Sequence, residues 1–175
     1  MSQETSKPLR ILHVFASLDR GGAEGMAMSL YRNIDKTKIQ FDFVVNNRDK
    51  PYAHEEEIKA LGGRVFRMPA FKGPNVLRYY KAWDSFLKAH PEWGIIHAHH
   101  TTPAFIYLAA ARNNGRIAIA HSHIAGYEKN IKSLIKIATR YPLRYIANHL
   151  VSCSKTAAQW MFGKKSSQTT VIKML

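Results

Sequence analysis

The feature that most constrains this chain is an unbroken alternation of short, branched apolar runs with segments of helical period. Residues 9–15 (LRILHVF), 39–45 (IQFDFVV), 64–68 (RVFRM), 95–100 (IIHAHH), 116–123 (RIAIAHSH), 149–154 (HLVSCS) and 169–173 (TTVIK) read as strands. Each is brief, rich in β-branched or aromatic residues and bounded by turn-forming residues. Helical spacing fills the intervals at 23–34, 51–61, 75–90, 101–113 and 130–145, with a short helix reaching Trp160. Met26, Leu30, Tyr31 and Ile34 are expected on one buried face, as are Leu77, Tyr80, Trp83 and Leu87. Gly62 and Gly63 close the second helix, Asn75 is expected to cap the third, and Thr101 and Thr102 before Pro103 to cap the fourth. Strands that are almost continuously apolar must be covered on both faces, which is the condition of a parallel sheet. The expectation is an α/β fold: a Rossmann-like, doubly wound, mainly parallel sheet with helices on both faces.

At 175 residues against ~150 for a usual domain, one domain over 1–175 is expected, with residues 1–8 as a flexible tail. The last run ends on a strand, which reads as a truncation or a domain boundary. A hydrophobic content of 46% excludes general disorder. The single cysteine, Cys153, excludes an internal disulfide and fits a reducing, cytoplasmic setting. No run approaches the ~18 apolar residues of a membrane span, and the polar start has no signal-peptide pattern.

Charge is distributed unevenly. The net charge is +14, yet residues 1–128 hold all 12 acids with 17 bases, so residues 129–175 carry nine bases and no acid. Lys129, Lys132, Lys136, Arg140 and Arg144 recur at helical spacing as a cationic stripe. Such a stripe is either a solvated face or a contact for acceptor phosphate or an anionic membrane, since like charges at this spacing repel unless a partner relieves them. A non-enzymatic polyanion- or nucleic-acid-binding domain is the alternative the charge suggests. It lacks aromatic interleaving and any nucleic-acid-binding signature, so no nucleic-acid partner is expected.

Ligands of a doubly wound sheet bind beyond the C-terminal ends of its strands. Gly21 and Gly22 follow the first strand, where a bare backbone and a helix N-terminus can meet a diphosphate, or where the pair simply makes a tight turn. Their spacing matches neither a dinucleotide fingerprint nor a Walker loop, which disfavours a nicotinamide enzyme. His97, His99 and His100 end the fourth strand, and His121 and His123 the fifth. Period two puts His97 with His99, and His121 with His123, on common faces. These imidazoles are strand-end fillers, hydrogen-bond partners for sugar or phosphate oxygens, or a general acid or base. No metal is expected, because no carboxylate or thiolate stands near to complete a site. His13, inside the first strand, and His90, at a helix end, are expected to lie away from the site.

With these residues placed, the chain resembles the N-terminal domain of glycosyltransferase family 4 enzymes of the GT-B fold, particularly bacterial capsule and exopolysaccharide types. The likeness rests on ILHVFASLDRGGAEGMAMSLYRNI, IIHAHH, IAHSH and VSCSKTAAQWMFG. It implies a retaining hexosyltransferase whose nucleotide-sugar donor is held mostly by a C-terminal domain beyond this chain. The chain itself would bind a lipid-linked or polysaccharide acceptor at the inner face of the membrane and would be inactive alone. It implies that Gly21, Gly22 and Glu24 approach the donor phosphates or reacting centre. A histidine after the fifth strand would line the active site, the HSH doublet leaving the choice between His121 and His123 open. No cofactor is implied.

Overall fold

The computed structural model describes residues 7–99, 102–123, 126 and 138–172. Seven strands form one sheet: β1 Leu9–Val14, β2 Ile39–Asn46, β3 Val65–Met68, β4 Trp93–Ala98, β5 Ile117–Ser122, β6 His149–Ser152 and β7 Thr169–Val171. Their order is β3-β2-β1-β4-β5-β6-β7, and every pairing is parallel. The helices are α1 Gly22–Asn33, α2 Glu55–Ala60, α3 Val76–Ala89, α4 Ala104–Asn113, α5 Leu143–Ile146 and α6 Lys155–Phe162, followed by a 3₁₀ turn, Gly163–Gln168. The Rossmann-like, doubly wound expectation holds, and the strand order reverses between β1 and β4.

The two faces of the sheet bury different chemistry. One face, with Leu12, Val14, Val44, Ile96, Ala98, Ala118 and Ala120, packs against Trp83, Leu87, Tyr107 and Leu108 of α3 and α4. The other holds Phe41, Phe43 and Val45 against Ala27, Met28 and Tyr31 of α1.

Several local expectations are corrected. Leu30 is 46% exposed and Leu77 66% exposed. Met26, Tyr31, Trp83 and Leu87 are buried as expected, and the rows are completed by Ala27 and Met28 in α1 and by Tyr79 in α3. Asn75 does stand at the N-cap of α3, but its side chain makes no cap bond. Its Oδ1 accepts instead from the Lys72 backbone N–H at 2.8 Å, closing the preceding turn. Pro103, not a threonine, occupies the N-cap of α4. The helix expected over 130–145 is not continuous: residues 138–140 are helical, 141–142 form a turn, and α5 starts after Pro142. Gly62 does close α2, with φ at +89°.

One buried carboxylate organises the N-terminal end of the sheet. Asp42 of β2 is fully buried and accepts from Arg10 Nε and Nη2 at 2.7 and 2.5 Å. It also accepts from the Arg64 backbone N–H, Nε and Nη2 at 2.9, 3.2 and 2.6 Å, and from Trp93 Nε1 at 2.7 Å. Burial alone would raise its pKa; the bonds from Arg10, Arg64 and Trp93 outweigh that and hold the carboxyl well below the usual carboxylate range. A fully bonded buried carboxylate contributes little net energy, but removing it leaves donors stranded. Asp42→Ala is therefore expected to lower unfolding free energy by about 3 kcal/mol, the low end for a broken buried pair because both arginines can still reach water. Urea denaturation of parent and variant checks this value.

Candidate functional site

Five histidines share one face at the C-terminal ends of three adjacent strands. His13 of β1 pairs in register with His97 of β4, and Ala98 with Ala120 of β5. His99 follows β4, its backbone N–H donating to Val14 O at 2.9 Å. His121 lies in β5 and His123 just beyond it. The common faces expected of His97 with His99 and of His121 with His123 are realised, with ring centroids 4.2 and 4.0 Å apart.

The five rings bond to one another. His13 Nδ1 lies 3.0 Å from His99 Nε2, and His99 Nδ1 2.8 Å from His123 Nε2. A second pair joins His97 Nε2 and His121 Nδ1 at 3.2 Å. Among the described residues, Nε2 of His13 and Nε2 of His121 are buried without a hydrogen-bond partner. Phe15 lies parallel to His99 at 4.2 Å, and Phe41 packs on His13 at 4.2 Å. The sequence reading missed His13. It meets the β4 histidines only through the strand order together with the register shift near the start of β4.

A stack of imidazoles in apolar surroundings must remain neutral, because desolvation opposes charging and each ring would repel its neighbours. Burial brings the His13 pKa down to about 3, with His121 adding to the fall. Burial and the neighbouring His123 and His97 take His121 to about 2, and burial takes His123 to about 4. His97 and His99 are lowered well below the ordinary value for the same reasons. At neutral pH the cluster is a wall of uncharged donors and acceptors.

Beside it stands the glycine turn. Gly21 is the extended N-cap of α1, and a Cβ there would strike the Glu24 carboxylate, whereas one on Gly22 would meet open space. The turn is braced: Arg48 donates to both Asp19 oxygens at 2.7 and 2.8 Å, and the His54 N–H donates to Leu18 O at 3.1 Å. Because β1 and β4 are neighbours, this turn and the histidine strands lie at the same C-terminal edge of the sheet, at the order reversal where doubly wound folds bind ligands.

The remaining candidates are not gathered there. His100, Lys129, Lys132 and Lys136 lie outside the described residues. Arg140 sits over the Trp160 ring at 4.2 Å, and Arg144 over Tyr141 at 4.6 Å, with Nη2 donating to Met161 O at 3.5 Å. Both therefore pack on their own chain, and Arg144 lies beyond the turn that interrupts the stripe. His90 stacks on Trp93 at 4.6 Å, at the far end of the sheet, as expected. For a metal, nitrogens of His13, His97 and His99, or of His99, His121 and His123, come within 4.8 Å of one another. An ion there would have to break the ring-to-ring bonds.

The cluster makes stability depend on pH with a definite sign. The folded pKa values lie below the ordinary 6.5, so the unfolded chain binds the extra protons. Stability is therefore full above about 6.5 and is lost as pH falls from there toward the folded values. One unit below 6.5 each such ring costs about 1.4 kcal/mol, which for a domain of this size lowers Tm by about 3 to 6 °C per ring, and all five rings of the cluster contribute. Thermal unfolding at pH 7.5 and 5.5 measures it, and His13→Phe is expected to flatten the dependence.

Comparison with known proteins adds chemistry to this geometry. Residues 20–173 match the model for Glycosyltransferase Family 4. The chain is 33% identical over 174 residues to EpsF of Bacillus subtilis strain 168, a protein named as a glycosyltransferase, covering 97% of this chain and 45% of EpsF. Among solved structures it resembles Anabaena HepE in complex with UDP (TM-score 0.67, 15% identity, 94% of this chain and 43% of HepE). It also resembles a Listeria monocytogenes protein described as a UDP-N-acetylglucosamine 2-epimerase (TM-score 0.60, 11% identity, 93% and 44%). The chain thus spans about half the length of these relatives. Fold likeness at these identities shows the fold alone; the family match over residues 20–173 and the 33% identity to EpsF place the chain in glycosyltransferase family 4, its sheet being the N-terminal Rossmann-like half of a GT-B fold.

Proposed function

We propose that this chain is the acceptor-side half of a nucleotide-sugar-dependent, retaining hexosyltransferase that extends a lipid-linked or polysaccharide acceptor in bacterial cell-surface polysaccharide synthesis. The observation that carries the reading is the neutral histidine wall at the strand-order reversal, beside a glycine-opened helix N-terminus. Neutral imidazoles suit sugar hydroxyls, which need donors and acceptors and no charge. The N-terminus of α1 suits an anionic diphosphate oxygen. Glu24, lying over Gly21, can accept from a sugar hydroxyl at the same border.

The donor would be held mainly by a second domain, leaving this chain inactive alone; that HepE was solved with UDP supports a nucleotide-sugar donor. The mechanism assigned here needs no metal: His123, or His121, hydrogen-bonds the transferred sugar, and the backbone of Gly21 and Gly22 approaches the diphosphate. In the full-length enzyme, His123→Ala is expected to lower kcat/KM about 100-fold or more, the loss typical of a donor that meets developing charge. His121→Ala should do less and His90→Ala almost nothing, and EDTA should leave turnover unchanged. Release of nucleotide from a panel of nucleotide-sugars measures all four. Full activity of both HSH variants would overturn the assignment.

A peripheral place on the inner membrane face belongs to the same proposal; among the described residues no helix is long and apolar enough to cross a membrane. Since Arg140 and Arg144 pack on aromatic rings of the chain, the attraction is assigned chiefly to Lys129, Lys132 and Lys136, at about 1 kcal/mol each near an anionic surface. Binding to anionic vesicles should fade between 0.15 and 1 M salt, as the Debye length falls from about 8 to about 3 Å. Changing the three lysines to glutamine should remove it. Co-sedimentation with anionic and neutral vesicles reads both effects, and equal binding by the variant would dispose of the membrane role.

A further inference from the structure

The ring-to-ring bonds carry a consequence for where each proton sits. A neutral imidazole has one N–H and one bare nitrogen. His99 uses both nitrogens, Nε2 toward His13 at 3.0 Å and Nδ1 toward His123 at 2.8 Å, so it must donate at one and accept at the other. The three-ring chain is therefore polar, and only two arrangements exist. If protons point inward, His123 Nε2–H donates to His99, His99 Nε2–H donates to His13 Nδ1, and His13 is left with an N–H on its Nε2. If they point outward, each ring carries its proton on Nδ1 and the nitrogen left over at His13 is bare.

The environment of His13 Nε2 decides between them. That atom is buried without a hydrogen-bond partner, in a residue 3% exposed and packed on Phe41 and Phe43. An orphaned buried N–H is the costlier of the two ends, and native proteins tolerate an under-satisfied acceptor more readily. The second pair obeys the same rule independently. His121 Nε2 is also buried without a partner among the described residues, so His121 keeps its proton on Nδ1 and donates to His97 Nε2 at 3.2 Å.

We propose that the cluster is two one-way hydrogen-bond chains, His13→His99→His123 and His121→His97, and that His13 and His99 are positioning residues which lock His123 as the Nδ1–H tautomer. This rests on the reading above only for the claim that His123 meets substrate. Its consequence is a defined role there: His123 presents an N–H to an electron-rich oxygen, whether sugar hydroxyl or phosphate. It does not act as a general base at Nδ1, because taking a proton there would require the whole chain to invert and put an N–H on His13 Nε2.

The test is long-range ¹H–¹⁵N correlation of the ¹⁵N-labelled 175-residue chain at pH 7.5, which assigns the protonated nitrogen of each ring. All five are expected as Nδ1–H. In His13→Phe, His99 loses its donor, and His123, two rings away, should shift toward a mixture of tautomers while His149 stays unchanged. Nε2–H at His99 or His123 in the parent would overturn the proposal, as would an unmoved His123 in a folded His13→Phe variant. The parent spectrum decides the direction by itself, so the proposal stays exposed even if the variant fails to fold. In the full-length enzyme, His123→Asn, which retains an N–H donor, should keep at least tenfold more turnover than His123→Ala. Nδ1–H tautomers combined with full turnover in both variants would sink the active-site reading while leaving the chains standing.

Discussion

At the end of the sheet opposite the histidines, one buried carboxylate, Asp42, ties the starts of neighbouring strands together. Its carboxylate draws together Arg10 at the start of β1, Trp93 at the start of β4 and Arg64 just ahead of β3. Arg10 is thereby opposite Trp93, yet Ile11 is opposite Ile95, so Gly94 is an extra residue in β4. Without that bulge His13 would pair with Ile96, and His97 and His99 would turn to the face that carries Leu12 and Val14, since a one-residue slip exchanges the faces of a strand. The polar hub and the bulge together decide that β4 delivers its histidines to the same side as His13.

Placing five polar rings on the inner part of a parallel sheet has a cost that the cluster largely meets from within. Each buried nitrogen needs a partner, and six of the ten ring nitrogens find one in another ring. Aromatic neighbours complete the packing, Phe15 lying parallel to His99 and Phe41 tilted on His13. The residue of the cost appears at His13 Nε2 and His121 Nε2, both left without a partner. Those two atoms are where the wall constrains proton placement, while its dependence on pH rests on the burial of all five rings. A core that dissolves its polar groups into mutual hydrogen bonds becomes directional, because imidazole donates and accepts at different atoms.

How far the sequence could be read follows from which interactions are local. The strand and helix alternation, the glycine turn ahead of α1 and the paired histidines of β4 and β5 are written in runs of a few residues, and they fold as read. Leu30 and Leu77 mislead because helical spacing gives a face only to within a residue or so, and tertiary contacts choose Met28 and Tyr79 instead. Asn75 and the Thr102–Pro103 start carry cap chemistry that is used otherwise, in one case for a turn. Pro142 ends a helical pattern whose charges continue past it. His13 was illegible for a deeper reason. Its membership needs both the strand order and the Gly94 bulge, and neither is visible in any local window.

The uneven charge and the uncharged wall answer to different distances. A net charge of +14 raises the potential around the whole chain and draws anions from solution, but at physiological salt that pull decays over about 8 Å. Recognition at the crevice therefore falls to groups in contact. If the proposed substrate binds there, charged side chains would hold its diphosphate too uniformly, binding substrate and product as well as the transition state, which lowers KM without raising kcat. Neutral N–H donors held rigidly by neighbouring rings gain strength only where charge develops on the oxygen they face. On the proposed reading, Asp42, Trp93 and Phe15 lie outside the crevice, yet by fixing where the rings stand they set how little those donors would reorganise as charge developed on a bound oxygen.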